Sequence, residues 1–235
     1  MLELFTGGNI VELIIETLLS IPGVIFAFTV KGFGQALVSK WLGDPTPEEN
    51  GRLTMNPLAH IDWLGLLFMT VFHFGWTKPL PTNSRNYKHY KRDTVIFSLS
   101  GSATLVVSSF VMCLFYVLFS ILAYKISGGS DTLGVMDYLS IIFYYAHVFP
   151  LFLAIFYLLP LPGLDGYKII TTFTPYKWNT FLYKLERYSI FIFIGFILLM
   201  RIPQVSNVVF FPANLLSGLF ISFWNLPFSL IFSFI

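Results

Sequence analysis

The chain has 235 residues, 56% of them hydrophobic and 11% charged, with a formal net charge of +2 and a mean hydropathy of +0.75. A soluble domain carries about a quarter charged residues, so this composition points to an integral membrane protein. The small charge excess, with no basic run interleaved with aromatics and no glycine-rich phosphate loop, argues against nucleic-acid binding. The single cysteine, Cys113, lies in an apolar run. It gives neither a disulfide framework nor a cysteine metal site and reads as a small buried apolar residue.

In chain order, the first apolar run, 9–38, exceeds the roughly 20 residues a crossing helix needs. No basic region precedes it and no small-residue cleavage site follows, so it reads as a retained span. The stretch 40–56 carries Lys40 and Arg52. Segment 61–76, IDWLGLLFMTVFHFGW, is apolar but short, and 77–93 beyond it carries Lys78, Arg85, Lys88, Lys91 and Arg92. Basic flanks on both sides of a short apolar segment predict a re-entrant or interfacial element that leaves where it entered. Further spans are predicted at 94–124, 136–160 and 187–202. The last apolar stretch, 205–235, contains Pro212 and Pro227 and reads as one kinked helix or two half-helices.

The loop 125–135 balances Lys125 against Asp131, whereas 163–187 holds Lys168, Lys177, Lys184 and Arg187. The positive-inside bias therefore puts 40–93 and 163–187 in the cytoplasm and the N-terminus outside. No internal repeat is visible, and residues 1–235 read as a single polytopic membrane domain.

That topology brings Lys31, in the cytoplasmic part of the first span, to the depth of Asp165, which follows the span ending near Pro160. An ionisable residue at membrane depth usually faces the protein interior with a partner. The alternative is a snorkelling lysine and a turn aspartate. Glu12 and Glu16 stand one helical turn apart, either as a solvated face or as part of a cation path. His60, His73, His89 and His147 are the residues from which a substitute metal site could be built. Ser100 or Ser102 with His147 is the one pairing that could resemble a serine nucleophile and its base.

Three ordered stretches carry a resemblance: LGDPTPEENGRLTMNPLAHIDWLG (42–65), FGWTKPLPTNSRNYKHYKRD (74–93) and LLPLPGLDGYKI (158–169). Over roughly 25–170 the chain resembles the site-2 protease family of intramembrane zinc metallopeptidases, in its compact bacterial form without a PDZ domain. The resemblance implies an all-α membrane fold with a core of three transmembrane helices. This chain adds a re-entrant segment and C-terminal apolar helices at 187–235.

In the family the first span ends in H-E-x-x-H, two histidines binding zinc with the glutamate as general base. Here those positions are Lys31, Gly32 and Gln35. Asp165 matches the third zinc ligand. Tyr157 stands where the family has an asparagine, and Gly101-Ser102-Ala103-Thr104-Leu105 replaces its G-P-x-x-N, leaving Gly101 and Thr104 as cleft candidates.

One carboxylate cannot hold a catalytic zinc, so the resemblance implies zinc as the family cofactor but none bound here. The expectation is a pseudoprotease of the bacterial plasma membrane. Lys31 and Asp165 would form an ion pair in place of the metal, and the partners would be the lipid bilayer and a transmembrane protein or peptide segment. Two alternatives remain: an active metalloprotease with an atypical metal site, and a small transporter or channel subunit.

Overall fold

The computed structural model describes residues 10–72, 75–127 and 134–232, and every regular element among them is helical. Four helices are long and apolar enough to cross a membrane: α1 (Ile10–Trp41), α4 (Tyr90–Ser127), α5 (Val135–Leu158) and α9 (Pro203–Phe232). With no water in hydrocarbon to satisfy peptide groups, a spanning segment must close its hydrogen bonds within itself, and a helix does so. The chain is an all-α membrane protein in contact with the lipid bilayer.

Side-chain contacts fix how the spans run. Ser102 of α4 bonds the Ala154 carbonyl of α5, and Ser109 bonds that of His147, so these helices are antiparallel. Against α5, Phe152 meets Phe210 and His147 meets Ser217, so α9 is antiparallel to it as well. Along α1, Gly23 abuts Tyr145 while Lys31 reaches Tyr157, so α1 runs parallel to α5. The C-terminal ends of α1 and α5 and the N-terminal ends of α4 and α9 therefore gather at one end of the bundle. Val24, Ala27, Phe28, Leu105, Phe149 and Leu153 fill the core between α1, α4 and α5. Exposed Val107, Val208 and Leu219 form part of the outer apolar surface that faces acyl chains.

The short elements cluster at that gathered end. Gly43, at φ 99°, turns the chain out of α1, and buried Asp44 then ties the loops together. Its carboxylate accepts from Thr46 N and Oγ1, Ser39 Oγ, Asn83 N and Asn86 Nδ2. A four-residue helix, α2 (Thr46–Glu49), follows.

The segment at 61–76 forms α3 (Trp63–Phe72), begun by the Asp62 carboxylate accepting from Gly65 N. The chain comes back alongside it, with Trp76 5.6 Å from Phe68, and the Lys78 amide bonds the His60 carbonyl at 2.9 Å. Entry and exit are thus one hydrogen bond apart, which makes the segment re-entrant. Trp63, Leu64 and Leu67 are exposed on its outer side.

After α6 (Asp165–Phe173) and α7 (Asn179–Arg187), the predicted span at 187–202 is corrected: the apolar part, α8 (Ser189–Leu199), has 11 residues. At 1.5 Å per residue it reaches about 16 Å, half the hydrocarbon thickness. A proline disfavours helical backbone in the residue before it, and here Pro203 opens the next helix, so the run is divided there. α8 instead lies on the end of α5, with Phe193 against both Phe156 and Trp76. The stretch after it is one continuous helix, α9, with Pro212 and Pro227 inside it.

Candidate functional site

Lys31 sits in the last third of α1 and is 3% exposed. Its Nζ donates to Gln35 Oε1 at 2.8 Å and lies 3.2 Å from Asp165 Oδ2. The same ammonium stands over the Tyr157 ring, 3.6 Å from its centroid. Gln35, one turn on from Lys31 and so on the same helix face, donates its Nε2 to Asp165 Oδ2 at 2.9 Å. Asp165 is the first residue of α6, where the helix dipole favours a carboxylate. The Tyr157 hydroxyl accepts from Thr77 N at 2.9 Å and lies 2.9 Å from Thr77 Oγ1, linking α5 to the returning arm of the hairpin.

The glycines let these groups come together. A Cβ at Gly32 would lie 2.1 Å from His60 Nδ1, so the imidazole occupies the space a side chain there would take. His60 is 1% exposed, with Nε2 2.8 Å from the Thr54 carbonyl. Burial pushes its pKa below the ordinary histidine value; the Thr54 bond opposes this and the Arg52 charge assists it. The Gln35 amide rests on Gly101, and Thr104 faces Gly34.

Above this cluster opens a cavity of about 630 Å³, with Trp76, Phe97, Tyr157 and Phe193 among its walls and Lys31, Gln35 and Asp165 on its floor.

The other sequence candidates lie apart. His147 is wholly buried between Ser109 (Nδ1 to Oγ, 2.8 Å) and Ser217 (Nε2 to Oγ, 2.8 Å), joining α4, α5 and α9. Ser100 and Ser102 bond the Phe97 and Ala154 carbonyls instead. His89 is exposed, as is Glu16; His73 and the Glu12 side chain lie outside the described residues. Among the described residues no three His, Cys, Asp or Glu side chains converge as a metal site.

Compared with known proteins, the chain is 32% identical over 186 residues to a Bacillus subtilis (strain 168) protein named "Putative zinc metalloprotease YwhC". The match covers 79% of this chain and 81% of that one. This chain belongs to the site-2 protease-like family. No family model matches it, and no solved structure matches it significantly.

Zinc is the cofactor of site-2 proteases, and the residues here do not fit it. A catalytic zinc takes three protein donors and leaves one position open. At the first histidine position Lys31 presents ammonium hydrogens in place of a lone pair. Gln35, at the second, turns its amide oxygen to Lys31 and its nitrogen to Asp165. Asp165 is the one charged donor at the cluster, and Oδ2 already accepts from Gln35. Gly32 has no group to move a proton. The sequence reading named the Lys31–Asp165 pair but not the bonds of Gln35 to both, the Tyr157 ring under Lys31, Thr77 on Tyr157 or the His60 ring against Gly32.

Proposed function

We propose that this site-2-protease-like protein is a pseudoprotease, in which Lys31 takes the place of the metal. The observation that carries this reading is the position of the Lys31 ammonium, bonded to Gln35 and 3.2 Å from Asp165. A carboxylate buried at this depth needs a counter-charge. Lysine supplies it and ties α1 to α6. The cavity remains above the cluster, and in this reading it binds a segment of another membrane protein, making the chain an adaptor or regulator. The loops 40–93 and 163–187 face the cytoplasm of a bacterial cell, as their lysine and arginine excess favours.

Metal analysis with a cleavage assay tests the reading. Protein purified without chelator is expected to carry far less than one zinc per chain and to leave single-span reporter substrates intact. Stoichiometric zinc with chelator-sensitive proteolysis would overturn it in favour of an active metalloprotease.

A further inference from the structure

Lys168, one turn into α6 from Asp165, lines the same cavity. Its Nζ rests over the Phe97 ring, 4.6 Å from the centroid, and no carboxylate among the described residues lies within ion-pair distance of it. Asp165 is engaged by Lys31 and Gln35. Glu186, the other acidic residue of the lining, is exposed on α7 and makes no ion pair with Lys168. Burial lowers the Lys168 pKa and the Lys31 charge adds to this, while Asp165 and Asp44 oppose it. The cavity is thus an aromatic box lined by two lysines and two carboxylates, in which Lys168 is the cation left without a carboxylate partner among the described residues while Glu186 is exposed at the rim.

Size limits what can bring it an anion. A helix about 10–12 Å across fills roughly 400–600 Å³ per turn, so about 630 Å³ holds little more than one turn. The cavity therefore encloses no more than a short stretch of a partner chain, such as the segment at the end of a span. We propose that the cavity takes a juxtamembrane segment bearing an aspartate or glutamate, whose carboxylate pairs with Lys168 while its apolar neighbours lie against Trp76, Phe97 and Phe193. This inference rests on the reading of the cavity as a binding site for membrane-protein segments, and it names the residue type recognised.

The test uses the full chain in nanodiscs of neutral lipid. The probes are labelled synthetic single-span peptides with one glutamate at successive positions around the end of the span, each paired with its glutamine counterpart. At one or two adjacent positions the glutamate peptide is expected to bind about tenfold tighter than the glutamine peptide, the strength of a hydrogen bond to a charged group. Lys168→Met should abolish that preference and Lys168→Arg should keep it, with thermal unfolding reporting that both variants are folded. Binding with no glutamate preference at any position overturns this inference and leaves the segment-binding reading standing. No binding by any peptide overturns both. Lys168-dependent binding of oleate without peptide binding assigns the cation to a lipid carboxylate and overturns it too.

Discussion

Lys31 is held by a carboxylate, an amide oxygen and an aromatic face, and the worth of the first contact can be measured. Removing one partner of a buried ion pair costs about 3–5 kcal/mol, because the other charge stays buried alone. Lys31→Met and Asp165→Asn are each expected to lower the unfolding temperature in detergent, and the Lys31→Met/Asp165→Leu double variant to recover much of the loss. A Lys31→Met protein that melts like its parent while Asp165→Asn melts lower would remove the pairing. His60 gives a pH signature. Its folded pKa lies below the unfolded value of about 6.5, so its contribution is present at neutral pH and lost as the pH falls through that region. Thermal unfolding between pH 7.5 and 5 should decline more steeply for the parent than for His60→Gln; equal slopes would count against a neutral buried imidazole. The family resemblance, with the predicted topology, made Lys31, Gln35, Tyr157 and Asp165 readable as one neighbourhood. Thr77 carried no such signal, since it meets Tyr157 across 80 positions. Lys168 read as one more topology charge until α6 turned it into the cavity.

The helices show where sequence periodicity suffices and where it does not. Runs 9–38, 94–124 and 136–160 correspond to α1, α4 and α5 with ends shifted by a few residues: α1 and α4 continue past the apolar run that hydropathy detects, whereas α5 stops at Leu158, ahead of Pro160. At the start of α4 the Asp93 carboxylate accepts from His89 N, capping the helix ahead of Tyr90. Hydropathy missed the shortness of α8, since a helix of 11 apolar residues and a full crossing look alike until the break before Pro203 is placed. The re-entrant hairpin was legible from its basic flanks, but its closeness was not. A Cβ at Gly65 would lie 1.9 Å from the Trp76 carbonyl oxygen, whereas one at Gly195 meets open space. Gly65→Ala is therefore expected to push the returning arm away and speed tryptic cleavage at Arg85 and Lys88, both exposed, with Gly195→Ala as the unaffected control. Equal cleavage rates in the two variants would mean that the hairpin yields without opening.

At the scale of the whole molecule, the four long helices put residues 42–62, 77–89 and 159–202 at one end of the bundle and Ser127 and Gly134, which close α4 and precede α5, at the other. In the orientation proposed above from the positive-inside bias, the first of these ends is cytoplasmic. Cys113 is fully buried and can be replaced by alanine, so single cysteines report each side cleanly. With a membrane-impermeant maleimide on intact cells, a cysteine at exposed Gly134 should label, while cysteines at exposed Arg85 and Tyr183 should label only after the cells are opened. The reverse pattern would invert the protein in its membrane.

If the chain is the pseudoprotease proposed above, the contact between Gly32 and His60 bears on whether proteolysis could be regained. A glutamate at 32 must first displace an imidazole anchored to Thr54, and it gains no metal to work with while Lys31 and Gln35 remain. In that reading each of the three substitutions toward the family motif is a handicap on its own, and a route to an enzyme begins with a descent.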